Sequence, residues 1–466
     1  MTVLKIRFAN ISQSKSLRMN TSFYNKEELG NKQVEQLGKN FKLIRLSEIT
    51  LRVTQGLSVH LEDSERQGKI GILTIENVDD NSVNVLPPHG FLPYIPEKGI
   101  LDKGCIITPR VRKIGNFALI QDNDSYVASE NVLVLELDGK KLEQYSLKLD
   151  FVAIFLSFIG KNQLRLLRTG GEAGNINHWL LQEMYIPLVS ISQQATIIEE
   201  IRKILDLIED KRKTITSLQS IIDEKLVDDG IKSSQQCIPK ARFSSKLSDI
   251  GQERQLRCGA LYRWFWDVNH GMLFDYLSEN YGVIELGSVI SKYKAMKENK
   301  GVLSRDYLLV ELDDVEQGTG RILNERLVSE VGSEKVVFGE SDILTSKLRP
   351  YLGYTILNDK GKDLIGTTEF VPFKTKRNVL PEFVKYLFLS DDFLMKSMFL
   401  MYGKEHPRIH VDDILRIKIP NVPDAVQEHV VHEIQNRETE NNIKRDSISE
   451  LKLKAELLVL KTLGLD

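Results

Sequence analysis

The chain has 466 residues, with 63 Lys and Arg against 65 Asp and Glu, 41% hydrophobic residues and three cysteines. At roughly 100–200 residues per domain this length implies two to four folded units, with chain enough for more than one core. A formal net charge of −2 excludes a polybasic nucleic-acid coat or an acidic tail protein, and leaves room for a local basic patch.

Cys105, Cys237 and Cys258 are an odd number without CxxC spacing, so neither a disulfide framework nor a cysteine-based zinc site is expected. The N-terminus, MTVLKIRFAN, lacks an apolar signal-peptide core. The longest apolar run, FVAIFLSFI (151–159), is about half of a membrane span and is expected as a buried core helix. No membrane association is expected, and the location implied is cytoplasmic.

In chain order, a lead segment (1–40) precedes a mixed region, 41–190, in which ILTIENV (72–78) and VLVLEL (132–137) read as strands. From Ser192 to Asp229 there is no Pro or Gly, and a single long helix is expected over 191–229. Along it Ile197, Ile201, Ile204, Ile208, Ile215, Leu218 and Ile222 recur at spacings of four and three, interrupted by Lys211, a heptad seam that wants a partner helix. A linker and second lead segment (230–280) follow. The second mixed region, 281–423, has strands at YLLVEL (307–312) and FVPFK (370–374) and a helix over 381–399. A second long helix occupies the final region, 424–466. It carries Val430, Ile434, Ile448 and Leu451 in the register of the first, with Arg437, Asn441 and Lys444 making its middle polar. The two helices are expected to pair as an antiparallel coiled coil, with some of that polar surface left for another protein. Strands mixed irregularly with helices favour an α+β class.

The two halves repeat each other. NINHWLLQEMYIPLVSISQQATIIEEI (175–201) matches RIHVDDILRIKIPNVPDAVQEHVVHEI (408–434) at a constant offset of about 233 residues. Ile186-Pro187 meets Ile419-Pro420, and Gln194 meets Gln427. Upstream, CIITPRVRKIGNFALI (105–120) parallels DILTSKLRPYLGYTIL (342–357), which sets Arg110 and Arg112 opposite Lys347 and Arg349. Glu130 falls opposite Glu369, LIRLSEI (43–49) opposite VIELGSV (283–289), and Leu17-Arg18 and Phe23 opposite Leu256-Arg257 and Tyr262. The chain reads as a tandem duplication of a mixed domain followed by a long helix.

No catalytic constellation emerges. There is no GxxxxGK[ST] phosphate loop, and Gly318-Thr319-Gly320 reads as a turn. His429 and His432, at i and i+3, lack a third ligand, and no metal site is expected. The Asn/Asp-Pro-Pro-aromatic tetrapeptide of amino-methyltransferases is absent; the Pro-Pro at 87–88 reads as a turn. The chain therefore reads as a binding protein. Candidate contacts to nucleic acid are Arg110, Arg112 and Lys113 on a strand-turn and Lys347 and Arg349 on its match. Lys292 and Lys294 head a local patch of about +4 with Lys297, Lys300, Arg305 and Glu298, and Lys404 and Arg408 precede the second IxIP element.

Ile186-Pro187-Leu188 followed by Gln194 resembles the IPLPP…EQ…I element of type I restriction–modification specificity subunits. Asp342-Ile-Leu-Thr-Ser-Lys-Leu-Arg-Pro-Tyr-Leu-Gly353 resembles that family's GDIL…R…G segment. The resemblance spans residues 40–460. It implies two target-recognition domains and two spacer helices in a non-catalytic subunit that reads a bipartite, asymmetric sequence in double-stranded DNA. The implied partners are adenine-specific DNA methyltransferase subunits, holding S-adenosylmethionine, and a restriction or translocase subunit; this chain needs no cofactor. Two other readings remain open, a fused restriction–methyltransferase enzyme and a duplicated coiled-coil adaptor without DNA contact.

Overall fold

The computed structural model describes residues 33–59, 70–88, 90–167, 175–234, 259–274, 280–358, 364–376 and 378–465. Most of the first lead segment, with Leu17-Arg18 and Phe23, lies outside them, as do Leu256-Arg257, Cys237 and Cys258. The described residues belong to two compact units. Unit 1 draws on Met1–Thr214 and Lys444–Asp466, and unit 2 is Ile215–Ile443.

The strands of unit 1 are β1 (Leu43–Arg45), β2 (Thr50–Gln55), β3 (Ile70–Leu73), β4 (Phe91–Leu92), β5 (Ile100–Leu101), β6 (Ile106–Pro109), β7 (Ala118–Leu119), β8 (Ser125–Ala128), β9 (Val132–Leu137) and β10 (Tyr185–Pro187). β1 pairs antiparallel with β10, Ile44 facing Ile186. One sheet has the order β2-β9-β6-β7 and the other β4-β3-β8-β5, with β3 and β8 parallel. All of β6 and Val132–Leu135 of β9 are buried. Burial on both faces is why Val132–Leu135 is continuously apolar instead of alternating, while β6 buries the polar Thr108 among its neighbours.

Unit 2 contains β11 (Val283–Glu285), β12 (Ile290–Lys292), β13 (Met296–Glu298), β14 (Gly301–Val310), β15 (Arg326–Val331), β16 (Lys335–Val337), β17 (Ile343–Ser346), β18 (Thr355–Leu357), β19 (Leu364–Thr367), β20 (Phe370–Thr375) and β21 (Lys418–Pro420). β11 pairs antiparallel with β21, Ile284 facing Ile419. The sheets are β12-β20-β17-β18 and β13-β16-β19-β14-β15, with β14 parallel to β19. Strand for strand this is the order found in unit 1, with β13 added at one edge.

The apolar run 151–159 lies in a helix over Leu149–Phe155 that continues through a π-helical turn, Leu156–Gly160; Phe151, Phe155 and Phe158 are fully buried. The single helix expected over 381–399 is two helices, Pro381–Leu389 and Asp391–Leu400. Ser390 divides them. Its Oγ accepts from the Phe393 N–H at 3.3 Å and donates to the Leu387 carbonyl at 2.7 Å, so it caps the second helix. The second lead segment does more than link: Trp264, Phe265, Leu273 and Phe274 are buried in the core of unit 2.

The long helix expected over 191–229 is also divided, into α1 (Ile191–Lys213) and α2 (Leu218–Asp228). Thr214-Ile215-Thr216 is a β-branched run with poor helix propensity, and Ser217 caps α2 by accepting from the Ser220 N–H at 3.1 Å. Ile215 thus leaves the helical seam and is half-buried. The second long helix, α3 (Asp424–Thr462), is unbroken. In unit 2, Leu218 and Ile222 of α2 join Val430 and Ile434 of α3 in one core cluster with Phe383 and Leu387. In unit 1, Ile197, Ile201, Ile204 and Ile208 are buried, as are Ile448, Ala455 and Val459, while Leu451 is half-buried.

Three polar residues in the middle of α3 answer the break. Asn441 Nδ2 donates to the Thr216 carbonyl and Lys444 Nζ to the Thr214 carbonyl, each at 2.8 Å. Arg437 pairs with Glu224 at 2.7 Å. Carbonyls released where a helix stops need donors, and the seam supplies them. Among the described residues no helix is long and apolar enough to cross a membrane.

Candidate nucleic-acid interface

In each unit the chain leaves a fully buried strand and enters a turn that carries the paired cations. After β6, Arg110 N–H donates to the Asn131 carbonyl at 3.0 Å and Ile176 N–H donates to the Arg110 carbonyl at 2.9 Å. After β17, Lys347 N–H donates to the Glu369 carbonyl at 3.0 Å and Ile409 N–H donates to the Lys347 carbonyl at 2.9 Å. These matched bonds align Asn131, not Glu130, with Glu369, one residue from the register read in the sequence. They also set Asn175 in the place of Arg408.

Two residues further on, both turns hold an arginine in left-handed backbone, Arg112 at φ 59° and Arg349 at φ 46°. For a residue with a Cβ this conformation costs about 1–2 kcal/mol, which glycine would avoid. The same strained arginine at matched positions of two diverged turns points to a use for its side chain.

The electrostatics of the turns differ. In unit 1, Arg110 is half-buried and its Nε lies 3.4 Å from Asn175 Oδ1, Arg112 is exposed, and Lys113 pairs with Glu76 at 2.5 Å. In unit 2, Arg408 grips Glu369 with two bonds, Nε at 3.0 Å and Nη2 at 2.7 Å, and Nη1 donates to the His406 carbonyl at 3.0 Å. Lys347 Nζ lies 4.0 Å from the same carboxylate. The Arg408 bonds, then the charge of Lys347, hold the Glu369 carboxyl below the usual range against the opposing effect of burial. Arg349 Nη2 donates to the Glu405 carbonyl at 3.3 Å, while its Nε is buried without a hydrogen-bond partner. His410, stacked on Tyr402 with ring centroids 3.9 Å apart, has its Nε2 in the same condition. Lys404 is exposed nearby in sequence.

Lys292 and Lys294 are exposed; Lys292 ends β12, in the same sheet as β17 with β20 between them. The expected patch of about +4 is smaller in effect. Lys297 pairs with Glu334 at 2.7 Å, and Arg305 lies over the Tyr307 ring at 4.7 Å. Gly318 and Gly320 form a turn with φ of 70° and 64°, as the sequence suggests.

The matched glutamines are structural clamps. Gln194 Oε1 accepts from Lys148 N–H, and its Nε2 donates to the Ser146 and Val189 carbonyls, all at 2.8 Å. Gln427 Oε1 accepts from Leu380 N–H at 3.0 Å, and its Nε2 donates to the carbonyls of Asn378 at 3.3 Å and Val422 at 2.8 Å. Each ties the first turn of a long helix to a left-handed residue of its own unit, Ser146 or Asn378. Asn131, Asn175 and Tyr402 join the site without having been singled out in the sequence, since only closure of distant loops brings them there.

No protein-family model and no curated protein matches the chain. Among solved structures it is similar to a type I restriction–modification system S subunit from M. genitalium, with 14% identity, a TM-score of 0.37, and coverage of 91% of this chain and 96% of that one. A chain from a structure concerned with complex assembly and conformational transition of the type I R-M system has 14% identity and a TM-score of 0.39, covering 91% of this chain and 97% of its own. The HsdS subunit from Thermoanaerobacter tengcongensis has 14% identity and a TM-score of 0.30, with coverage of 91% and 96%.

Proposed function

We propose that the chain is the non-catalytic, sequence-specific DNA-binding subunit of a type I restriction–modification complex, built by tandem duplication. Each unit reads one half of a bipartite, asymmetric target in duplex DNA. The spacer helices pair antiparallel and set the gap between the halves. The observation that carries this reading is the left-handed arginine, Arg112 or Arg349, at the same turn of two diverged units. A cation on a strained, partly exposed turn beside a rigid sheet is suited to a phosphate or to the O6 and N7 of guanine. The turns differ in their neighbours, Asn131 and Asn175 against Glu369 and Arg408, which favours unlike half-sites.

A net charge of −2 gives the chain little long-range attraction for DNA. Adenine methyltransferase subunits would supply much of that grip, together with S-adenosylmethionine and the methyl transfer, and a restriction subunit any cleavage. The test is a mobility shift of the full chain with adenine methyltransferase subunits on a duplex library across a salt series. Binding that selects a split motif is expected, with Arg112→Ala and Arg349→Ala each weakening it about tenfold, the scale of one good base or phosphate contact. Absence of any shift at low salt would sink the reading and leave the adaptor alternative.

A further inference from the structure

The two cradles differ at one chemically decisive place. Arg110 and Lys347 occupy matched positions, but the residue whose carbonyl holds each backbone is neutral in unit 1, Asn131, and acidic in unit 2, Glu369. The partner from the following loop changes as well, from Asn175 to Arg408. In unit 2 one carboxylate thereby occupies a guanidinium through two bonds and stands within 4.0 Å of an ammonium.

We propose that Glu369 is a charge gate on the second reading site: in the DNA-free protein it masks Arg408 and Lys347, and a backbone phosphate takes its place when the site is engaged. This rests on the DNA-reading function proposed above. The ion pair has the geometry for such an exchange. A guanidinium fork donates to carboxylate and phosphate oxygens in the same bidentate manner. The side chains of Arg408 and Glu369 are 33% and 19% exposed, so a phosphate can approach and the pair is weakened by solvent. Displacing Glu369 still has a cost, which phosphate contacts alone do not offset. A correct half-site adds base contacts and does offset it. The gate therefore lowers non-specific binding by unit 2, whereas unit 1, with Asn131, has no such restraint at that place.

The test measures affinity for a random-sequence duplex against sodium chloride concentration, with the full chain and the variants Glu369→Gln and Asn131→Glu. Removing the carboxylate is expected to tighten non-specific binding about five- to tenfold and to steepen the salt dependence by about one or two ion equivalents, one for each cation freed. Installing a carboxylate at the exposed Asn131 is expected to weaken binding about fivefold and flatten the salt dependence by about one equivalent. The gate is overturned if a natively melting Glu369→Gln chain binds no more tightly than the parent, or if Asn131→Glu binds as the parent does. Should Glu369→Gln fail to fold, Asn131→Glu decides alone. A parent chain that binds no duplex, even with methyltransferase subunits, refutes the DNA-reading function itself.

Discussion

Asp223 shows how one side chain can work against the unit that contains it. Its carboxylate and that of Asp392 hold Lys232, at 2.7 and 2.5 Å, in a triad that is largely buried. Burial pushes the Asp223 carboxyl up to about 6, against the opposing pull of Lys232 and with the help of Asp391 and Asp392. A folded-state value above the unfolded one means that the native state binds more protons between about pH 4 and 6. The contribution is present below pH 4 and lost as pH rises through 6. Asp223→Asn is therefore expected to stabilise unit 2 by about 2 kcal/mol at pH 7–8, with Asp392 still holding Lys232, and to change nothing below pH 4. Urea unfolding at several pH values checks this; a variant weaker than the parent at pH 8 refutes it. Such a triad is invisible in the sequence because Asp223, Lys232 and Asp392 are brought together only by folding. The arginines are an instructive contrast. Their pairing was legible from the repeat, Arg110 and Arg112 against Lys347 and Arg349, yet neither the left-handed backbone nor the Glu369 bonds that occupy Arg408 could be read. Both depend on where the loops of residues 175–176 and 402–410 close onto the sheet edge.

Among elements, strands are legible where burial on both faces makes the run continuously apolar, as in β9 and β20, whereas β6 and β17 carry buried Thr108, Thr345 and Ser346 that interrupt such a run. Helix continuity is not legible. Apolar periodicity runs through Ile208, Ile215 and Leu218 without a Pro or Gly to stop it, and only the Ser217 cap and the β-branched run before it mark the break. The same weak signal, a serine cap with no glycine, hid the division at Ser390. What makes the α1–α2 break tolerable lies far away in sequence, in the donors that Asn441 and Lys444 bring to the exposed carbonyls. Asn441 is 4% exposed and on the heptad seam, so a leucine there would complete the apolar stripe. Asn441→Leu is nevertheless expected to destabilise unit 2 by ~1 kcal/mol, since the partly buried Thr216 carbonyl loses its donor. Chemical denaturation reads the difference. A variant more stable than the parent would mean that the seam prefers a continuous apolar contact to the bond.

On the scale of the whole chain, the period of about 233 residues announces two copies, but each compact unit is not one copy. Unit 1 takes its mixed domain from the first half and its last helical segment, from Lys444 on, from the second. Periodicity cannot reveal this, because the apolar seam of α3 is continuous and does not say which part packs where. The side chains do. Ile448, Val459 and Leu463 are buried in unit 1, Lys452 pairs with Asp79 at 2.5 Å, and Glu456 meets Asn81 and the buried Lys161 at 2.7 and 3.2 Å. Gln36 and Asn40 donate to the Gly464 carbonyl. At ~1.5–3 kcal/mol for each buried aliphatic side chain, the segment contributes on the order of 5 kcal/mol, comparable with the entire stability of a domain. Ending the chain after Ile443 removes nothing from unit 2, so the two units should respond oppositely. Backbone amides of β6 and β9 are expected to lose hydrogen-exchange protection by about three orders of magnitude or more, while those of β17 and β20 keep theirs. Retained protection in β6 and β9 would show that unit 1 stands without the C-terminal helix. Loss of protection throughout would show that the units fold as one, and the division of the chain at the α1–α2 break would then carry no energetic meaning.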